Sequence, residues 1–265
     1  MDFVDLKDQM NRSVSLDSVP RRIISLVPSQ TELLYDLGLE EEVIGITKFC
    51  IHPKVWFDSK TRIGGTKNVN IAKVAALKPD LIIGNKEENS ESDILELEKI
   101  APVWMSDILD FSSALEMISQ AGALVNKAKQ ASDLVEALET KILEFQSGNS
   151  FSEKKSCFYF IWKDPYLTAG KQTYIDSALS LCGFENLQSQ NRYPKWNFEL
   201  NKTPDFIFLS SEPFPFKLEH VSWFQNKYPK SIVKIVDGEM FSWYGSRMML
   251  AFEYFERLQS ELKLK

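Results

Sequence analysis

Histidine is scarce: His52 and His220 are the only two in 265 residues. A zinc centre of three histidines is thereby excluded, and most acid–base and nucleophile schemes lose their usual base. Cysteine is scarce as well. Cys50, Cys157 and Cys182 lie far apart with no CxxC pair, which is not a disulfide framework, and burial as small hydrophobes is the expected role. No run of about 18 apolar residues reads as a membrane-spanning helix. GxSxG, HExxH, P-loop and GxGxxG motifs are all missing. There is no excess of positive charge: the net charge is −6 and the pI about 5.2, which argues against nucleic acid as a main partner. The opening MDFVDLKDQMNRSVSL has three acidic residues in its first eight and no apolar run. It does not read as a signal peptide or lipoprotein leader, so a cytoplasmic protein, or a leader missing from the sequence, are the two expectations. Catalysis, a resident cofactor and a resident metal are not expected.

What is present is an ordinary globular composition, 44% hydrophobic and 26% charged, long enough for one large or two small domains. Residues 126–146 organise the chain. Ala128, Ala131, Val135, Leu138, Ile142 and Phe145 recur at intervals of three and four, the period of one helical face. Asn126 is the expected N-cap and Gly148 the expected stop. Such a helix spans roughly 31 Å at about 1.5 Å per residue.

An α/β pattern precedes this helix and another follows it. In the first half, Ser13–Leu16 reads as a short strand, 22–27 as a buried strand ended by Pro28, and Val43–Ile46 as a second buried strand. Ser29 and Glu32 form the expected capping box of a helix stopped by Gly38. Residues 48–69 read as loop, Asn70 and Ser90 as helix caps, 81–83 and 103–105 as strands, and Ser112 or Ser113 as a helix start. In the second half the strands are Lys155–Trp162, 206–209 and Ile232–Val236, with helices at Tyr174–Leu181 and 246–262. Pro204–Asp205 precedes its strand as Pro79–Asp80 precedes 81–83. The expected fold is α/β: two similar lobes with parallel sheets, 1–122 and 149–265, joined by one long backbone helix within 123–148. Apolar strands without alternation indicate sheets covered on both faces.

Open α/β sheets bind ligands beyond the carboxyl ends of their strands. The candidates there are Pro28, Ser29 and Gln30; Cys50 and His52; Asn85 with Lys86, Glu87 and Glu88; Trp162 and Tyr166; Glu212; and Phe241, Trp243, Tyr244 and Arg247. Their aromatic load fits either a large, partly flat ligand or capped sheet edges. Cys50 and His52, one residue apart, are either joint contacts of a metal-bearing ligand or a packed loop. Glu87, Glu88 and Glu91 read as a solvated helix start or as a docking point for partner arginines.

The stretches RIISLVPSQTELLYDLGLEEEVIG and IGGTKNVNIAKVAALKPDLIIG resemble the helical-backbone substrate-binding proteins of ABC importers for vitamin B12 and iron–siderophores. The likeness runs from about Arg21 to the C-terminus and is nearest to the cobalamin-binding members. It implies a periplasmic binding protein, monomeric, taking a corrinoid or other metal chelate whose cobalt or iron belongs to the ligand. It implies ligand contacts at Pro28, Ser29 and Gln30, an aromatic wall at Trp162, and an aromatic–arginine loop at Trp243, Tyr244 and Arg247. Asn85 falls where the cobalamin binders have a tryptophan. The resemblance also implies one exposed glutamate per lobe docking on the permease, Glu91 in the first, and Glu219 or Glu212 in the second. A cytoplasmic corrinoid or metal-chelate carrier is the alternative. As a stacked anchor, Trp243→Ala is expected to lower ligand affinity by about 1–3 kcal/mol with little change in stability.

Overall fold

A computed structural model describes residues 4–149, 153–198 and 202–263. Two compact units emerge. The first comprises residues 1–108, 112–139 and 244–247, and the second 109–111, 140–243 and 248–265.

The first unit is built on a five-stranded parallel sheet in the order Thr61–Arg62, Val43–Ile46, Ile23–Ser25, Leu81–Asn85, Val103–Ser106. Its central strands are buried along their whole length, as expected of strands covered on both faces. The chain starts at the middle strand, moves to one side, then returns to build the other. That reversal creates a topological switch point beside Ile23–Ser25. The core is aliphatic, gathering Ile24, Leu26, Val27, Ile82, Leu97 and Met105. A hairpin of Val4–Lys7 and Ser13–Leu16, which the sequence reading recognised only in its second strand, is tied to the edge strand. Gln9 N–H donates to the Met105 carbonyl and Asp8 accepts from Met105 N–H.

The second unit has a sheet in the order Leu167–Thr168, Lys155–Trp162, Phe206–Ser210, Ile232–Val236, with Phe184–Asn186 paired to Lys155–Trp162. All pairs are parallel except that of the short Leu167–Thr168 strand. Its core is aromatic, with Phe158, Phe160, Trp196, Phe216, Phe224 and Tyr228 around Ile207 and Leu209.

The echoed Pro–Asp pairs have one physical role. Asp80 accepts from the backbone N–H groups of Arg21 and Arg22 at 2.8 and 2.9 Å. Asp205 accepts from the N–H and hydroxyl of Ser156 at 2.8 and 2.6 Å. Each carboxylate staples the start of its own strand to that of the neighbouring parallel strand.

The long helix is unbroken over Ala128–Gly148. Its buried positions are Ala131, Leu138 and Phe145, seven apart. Ala128, expected on the apolar face, is exposed. Near its start a side-chain carbon on Gly122 would lie 2.2 Å from Ala131 Cβ, so only glycine permits the helices to meet there. Phe145 packs against Phe252 and Phe255.

Two expected punctuation marks are corrected. Asn126 sits at φ +56 and closes the preceding helix, Phe111–Leu124. Lys127 N–H reaches the Gly122 carbonyl at 2.7 Å and Asn126 N–H that of Ala123, the paired bonds of a left-handed helix end. Gly148 is the last residue of the long helix, which stops there as expected. Ser29 is not an N-cap either: the helix is Pro28–Asp36 with Pro28 in its first turn and Val27 at the cap, because proline's fixed φ suits that position. Asn70 does cap Ile71–Leu77, accepting from Lys73 N–H. Residues 48–69, read as loop, contain the helix Lys54–Ser59 and three two-residue strands. The helices Leu218–Lys227 and Gly238–Ser242 are further additions.

Candidate functional site

In the first unit the loops at the carboxyl ends of the sheet rest on a layer of small polar side chains. Thr31 Oγ1 meets Ser25 Oγ at 2.7 Å and Cys50 Sγ at 3.1 Å, and Thr47 Oγ1 meets the same sulfur at 3.1 Å. Cys50 is fully buried. Burial pushes its thiol up, against the two threonine hydroxyls, with Glu88 adding to the rise. A protonated, packed thiol is the packed-loop member of the two readings offered above. Among the described residues no group of three or more His, Cys, Asp or Glu is placed to hold a metal.

Beside it lies a second polar cluster at the switch point. Gln30 Nε2 donates to Ser106 Oγ at 2.5 Å and to the Gly84 carbonyl at 3.3 Å. Asn85 Nδ2 donates to the same hydroxyl at 2.9 Å. Asn85 Oδ1 accepts from the N–H groups of Glu87 and Glu88, so this amide organises its own loop. Gln30, 1% exposed, keeps Oε1 without a hydrogen-bond partner among the described residues. Pro28 and Ser29 are buried in the first turn of the same helix.

The outer rim of this end is apolar. Phe49 is 50% exposed and Ile51 43%, on either side of buried Cys50, and His52 follows half-buried. Sequence reasoning passed over Phe49 and Ile51. Their alternation about Cys50 carried the signal. Glu91 is exposed at the head of Glu91–Leu97, as a docking residue would be. Glu88 departs from the expected solvated helix start. Burial pushes its carboxyl up, Lys67 pulls the other way, and Glu87 reinforces the rise.

In the second unit the corresponding end is aromatic. Tyr159 OH meets Ser210 Oγ at 3.2 Å. Glu212 Oε1 accepts from Trp243 Nε1 at 2.7 Å and Ser242 Oγ at 2.9 Å, which gives this carboxylate an internal task. Trp243 is 6% exposed, so the expectation that its truncation spares stability is corrected: the ring is packed and its N–H is bonded. Phe241 is corrected as well. It is fully buried among Tyr159, Tyr254 and Phe255 and serves the core. Trp162 is 39% exposed, edge-on to Phe214. Tyr166 stacks on Trp223 at 5.6 Å and 15°. Glu219 is exposed on Leu218–Lys227.

The loop 241–247 divides between the units. Tyr244 and Arg247 count with the first unit, not the second. Arg247 makes a bidentate ion pair with Glu32, Nη2 to Oε1 at 2.6 Å and Nε to Oε2 at 2.7 Å. Glu32 was expected in a capping box. The guanidinium claims its carboxylate instead.

Similarity to known proteins extends over most of the chain. An ABC transporter substrate-binding lipoprotein of Bacillus subtilis is 33% identical over 194 residues, which is 69% of this chain and 60% of that protein. A vitamin B12-binding protein of Yersinia pestis is 27% identical over 252 residues, 90% of this chain and 87% of that one. Among solved structures, the periplasmic vitamin B12 binding protein of Vibrio cholerae superposes with a TM-score of 0.76 at 21% identity, covering 91% of this chain and 98% of the other. Residues 23–234 match the family model described as periplasmic binding protein, and the chain belongs to that family.

Proposed function

We propose that the protein is the substrate-binding component of an ABC importer and holds a corrinoid or related metal chelate, performing no chemistry on it. The observation that carries this reading is that each sheet, taken by itself, has solvent-facing apolar side chains at its carboxyl end, Phe49 and Ile51 in one unit and Trp162 in the other. Large exposed apolar side chains gathered at loop tips mark binding surfaces. In a family of substrate-binding proteins, membership supports transport over a cytoplasmic carrier. The B12-binding relative supports the ligand class. The ligand contacts are drawn from Pro28, Ser29, Gln30, His52, Trp162, Tyr166, Trp243 and Tyr244. Glu91 and Glu219 serve as docking residues for a permease. The protein acts as a monomer on the outer side of the cytoplasmic membrane, in the periplasm or tethered by lipid.

The test is a titration with cyanocobalamin, haem and ferric siderophores, followed by tryptophan fluorescence and calorimetry. Saturable one-to-one binding of cyanocobalamin is expected. If none of the three binds at tens of micromolar, the reading fails. Trp162→Ala is the cleaner probe, expected to weaken binding by about 1–3 kcal/mol, as for an exposed aromatic anchor, with the unfolding midpoint unmoved. Trp243→Ala lowers affinity and stability together.

A further inference from the structure

We propose that Glu32 and Arg247 are positioning residues, whose buried ion pair seats the turn 244–247 on the helix Pro28–Asp36 and so holds the stretch of loop that carries Tyr244. The proposal rests on the reading of that loop and of residues 28–30 as ligand contacts.

Four observations within the first unit carry it. The pair joins residues 215 apart in the chain through two N–H···O bonds. A guanidinium fork on a carboxylate fixes direction as well as distance. Its side chains are 7% and 15% exposed, so water competes little for either charge. Gly245 has φ +98, and a side-chain carbon there would lie 3.5 Å from the Ser29 carbonyl and from Leu33 Cβ. The turn therefore rests on the same first helical turn that presents Pro28, Ser29 and Gln30. Buried ion pairs contribute little net stability compared with apolar groups of similar size. Two charges at this point are better explained by the single geometry they impose. Arg247 thereby acts through the turn, with its fork on Glu32.

Hydrogen–deuterium exchange on the full-length protein tests this without a ligand. Glu32→Gln keeps the size of the side chain and removes the charge. It is expected to raise amide exchange of 243–248 by about tenfold or more while the global unfolding midpoint moves little. Arg247→Lys should do the same, since an ammonium cannot reproduce the fork, and the double variant should exchange no faster than either single one. Unchanged exchange at 243–248, or additive increases in the double variant, would overturn the proposal. Cyanocobalamin supplies the second readout: Kd should rise about tenfold in Glu32→Gln, and an unaltered Kd alongside faster exchange would strike the positioning role from the binding site. A wild-type protein that binds no cyanocobalamin counts against the proposed function, and the exchange result then decides the positioning role on its own.

Discussion

The two units solve the same architectural problem with different chemistry. Both present a parallel sheet with an aspartate stapling the central strands, Asp80 in one and Asp205 in the other. The first fills its core with Ile, Leu, Val and Met and floors its loops with serine, threonine, glutamine and asparagine side chains bonded to one another. The second fills its core with phenylalanine, tryptophan and tyrosine and carries aromatics into the loops. Aliphatic side chains leave polar loops to be ordered by hydrogen bonds, whose donors and acceptors must all be matched. Aromatic rings order their loops by edge and face contacts. The first unit thus offers a small-residue polar floor at this end of its sheet, and the second offers broad apolar faces.

The largest effect that sharpens this contrast lies in the second core. Phe224 is fully buried, with ring centroids 4.6 Å from Phe160, 4.9 Å from Trp223 and 5.5 Å from Tyr166. Phe224→Ala should cost about 3–5 kcal/mol, measured by denaturant unfolding. Leu97→Ala in the first core, equally buried, should cost less within the usual range of about 2–5 kcal/mol, because each aromatic pair adds about 0.5–1.5 kcal/mol beyond area burial. Equal losses would mean that the rings pack as plain hydrophobes and that the contrast is one of composition only.

Much of this architecture is legible in the chain because it rests on local rules. Gly38 and Gly183, at φ +80 and +87, end helices where their sequence position says they should. Asn70 caps its helix through its own side chain. The repeated Pro–Asp pair announces a repeated strand. What was not legible depends on partners remote in sequence. Glu32 looks like half of a capping box until Arg247 takes it. Asn126 looks like the start of one helix until its positive φ shows it finishing another. Phe241 and Trp162 look alike on paper, and only the packing of Tyr159, Tyr254 and Phe255 buries one while the other stays open. Within the candidate site, the loops were legible from strand order. Which of their side chains face outward was not.

A smaller contrast separates two serines. Ser106 receives Gln30 and Asn85 and donates to the Gly84 carbonyl at 3.3 Å. Ser106→Ala removes the shorter bond of two buried amides, leaving Gln30 Nε2 with the Gly84 carbonyl at 3.3 Å and Asn85 Nδ2 with the Ser106 carbonyl at 3.2 Å, and should cost about 1–3 kcal/mol. Ser210 meets one hydroxyl, that of Tyr159, at 3.2 Å, and the Glu212 N–H at 3.4 Å. Ser210→Ala should cost no more than about 1 kcal/mol, since long bonds contribute less. Thermal unfolding of the two variants under one condition checks the order. A larger loss for Ser210→Ala would show that the polar floor of the first unit is ornamental to its stability and that the second depends on hydrogen bonds as much as on rings.

The smallest effect should have opposite signs in the two units. Burial raises the Glu88 carboxyl above its usual 4.5, so the folded state holds its proton longer than the unfolded chain. Its contribution to stability is full below the ordinary value and is lost as pH rises through the folded one. Glu88→Gln should therefore stabilise at pH 7, with the gain vanishing towards pH 4. Asp205 runs the other way. The Ser156 hydroxyl, then its N–H, hold that carboxyl below its usual 3.8, so its contribution is present above the ordinary value and lost as pH falls through the folded one. Asp205→Asn should destabilise at pH 7, and the difference from the wild type should close below pH 3.8. Asp205 stands at the surface, where water screens the interaction, so its shift in unfolding midpoint should be the smaller of the two. Paired melts of both variants from pH 3 to pH 8 would show the two signs directly. A Glu88→Gln gain independent of pH would mean that the carboxylate is ionised without penalty, and that the polar floor of the first unit reaches solvent at this loop.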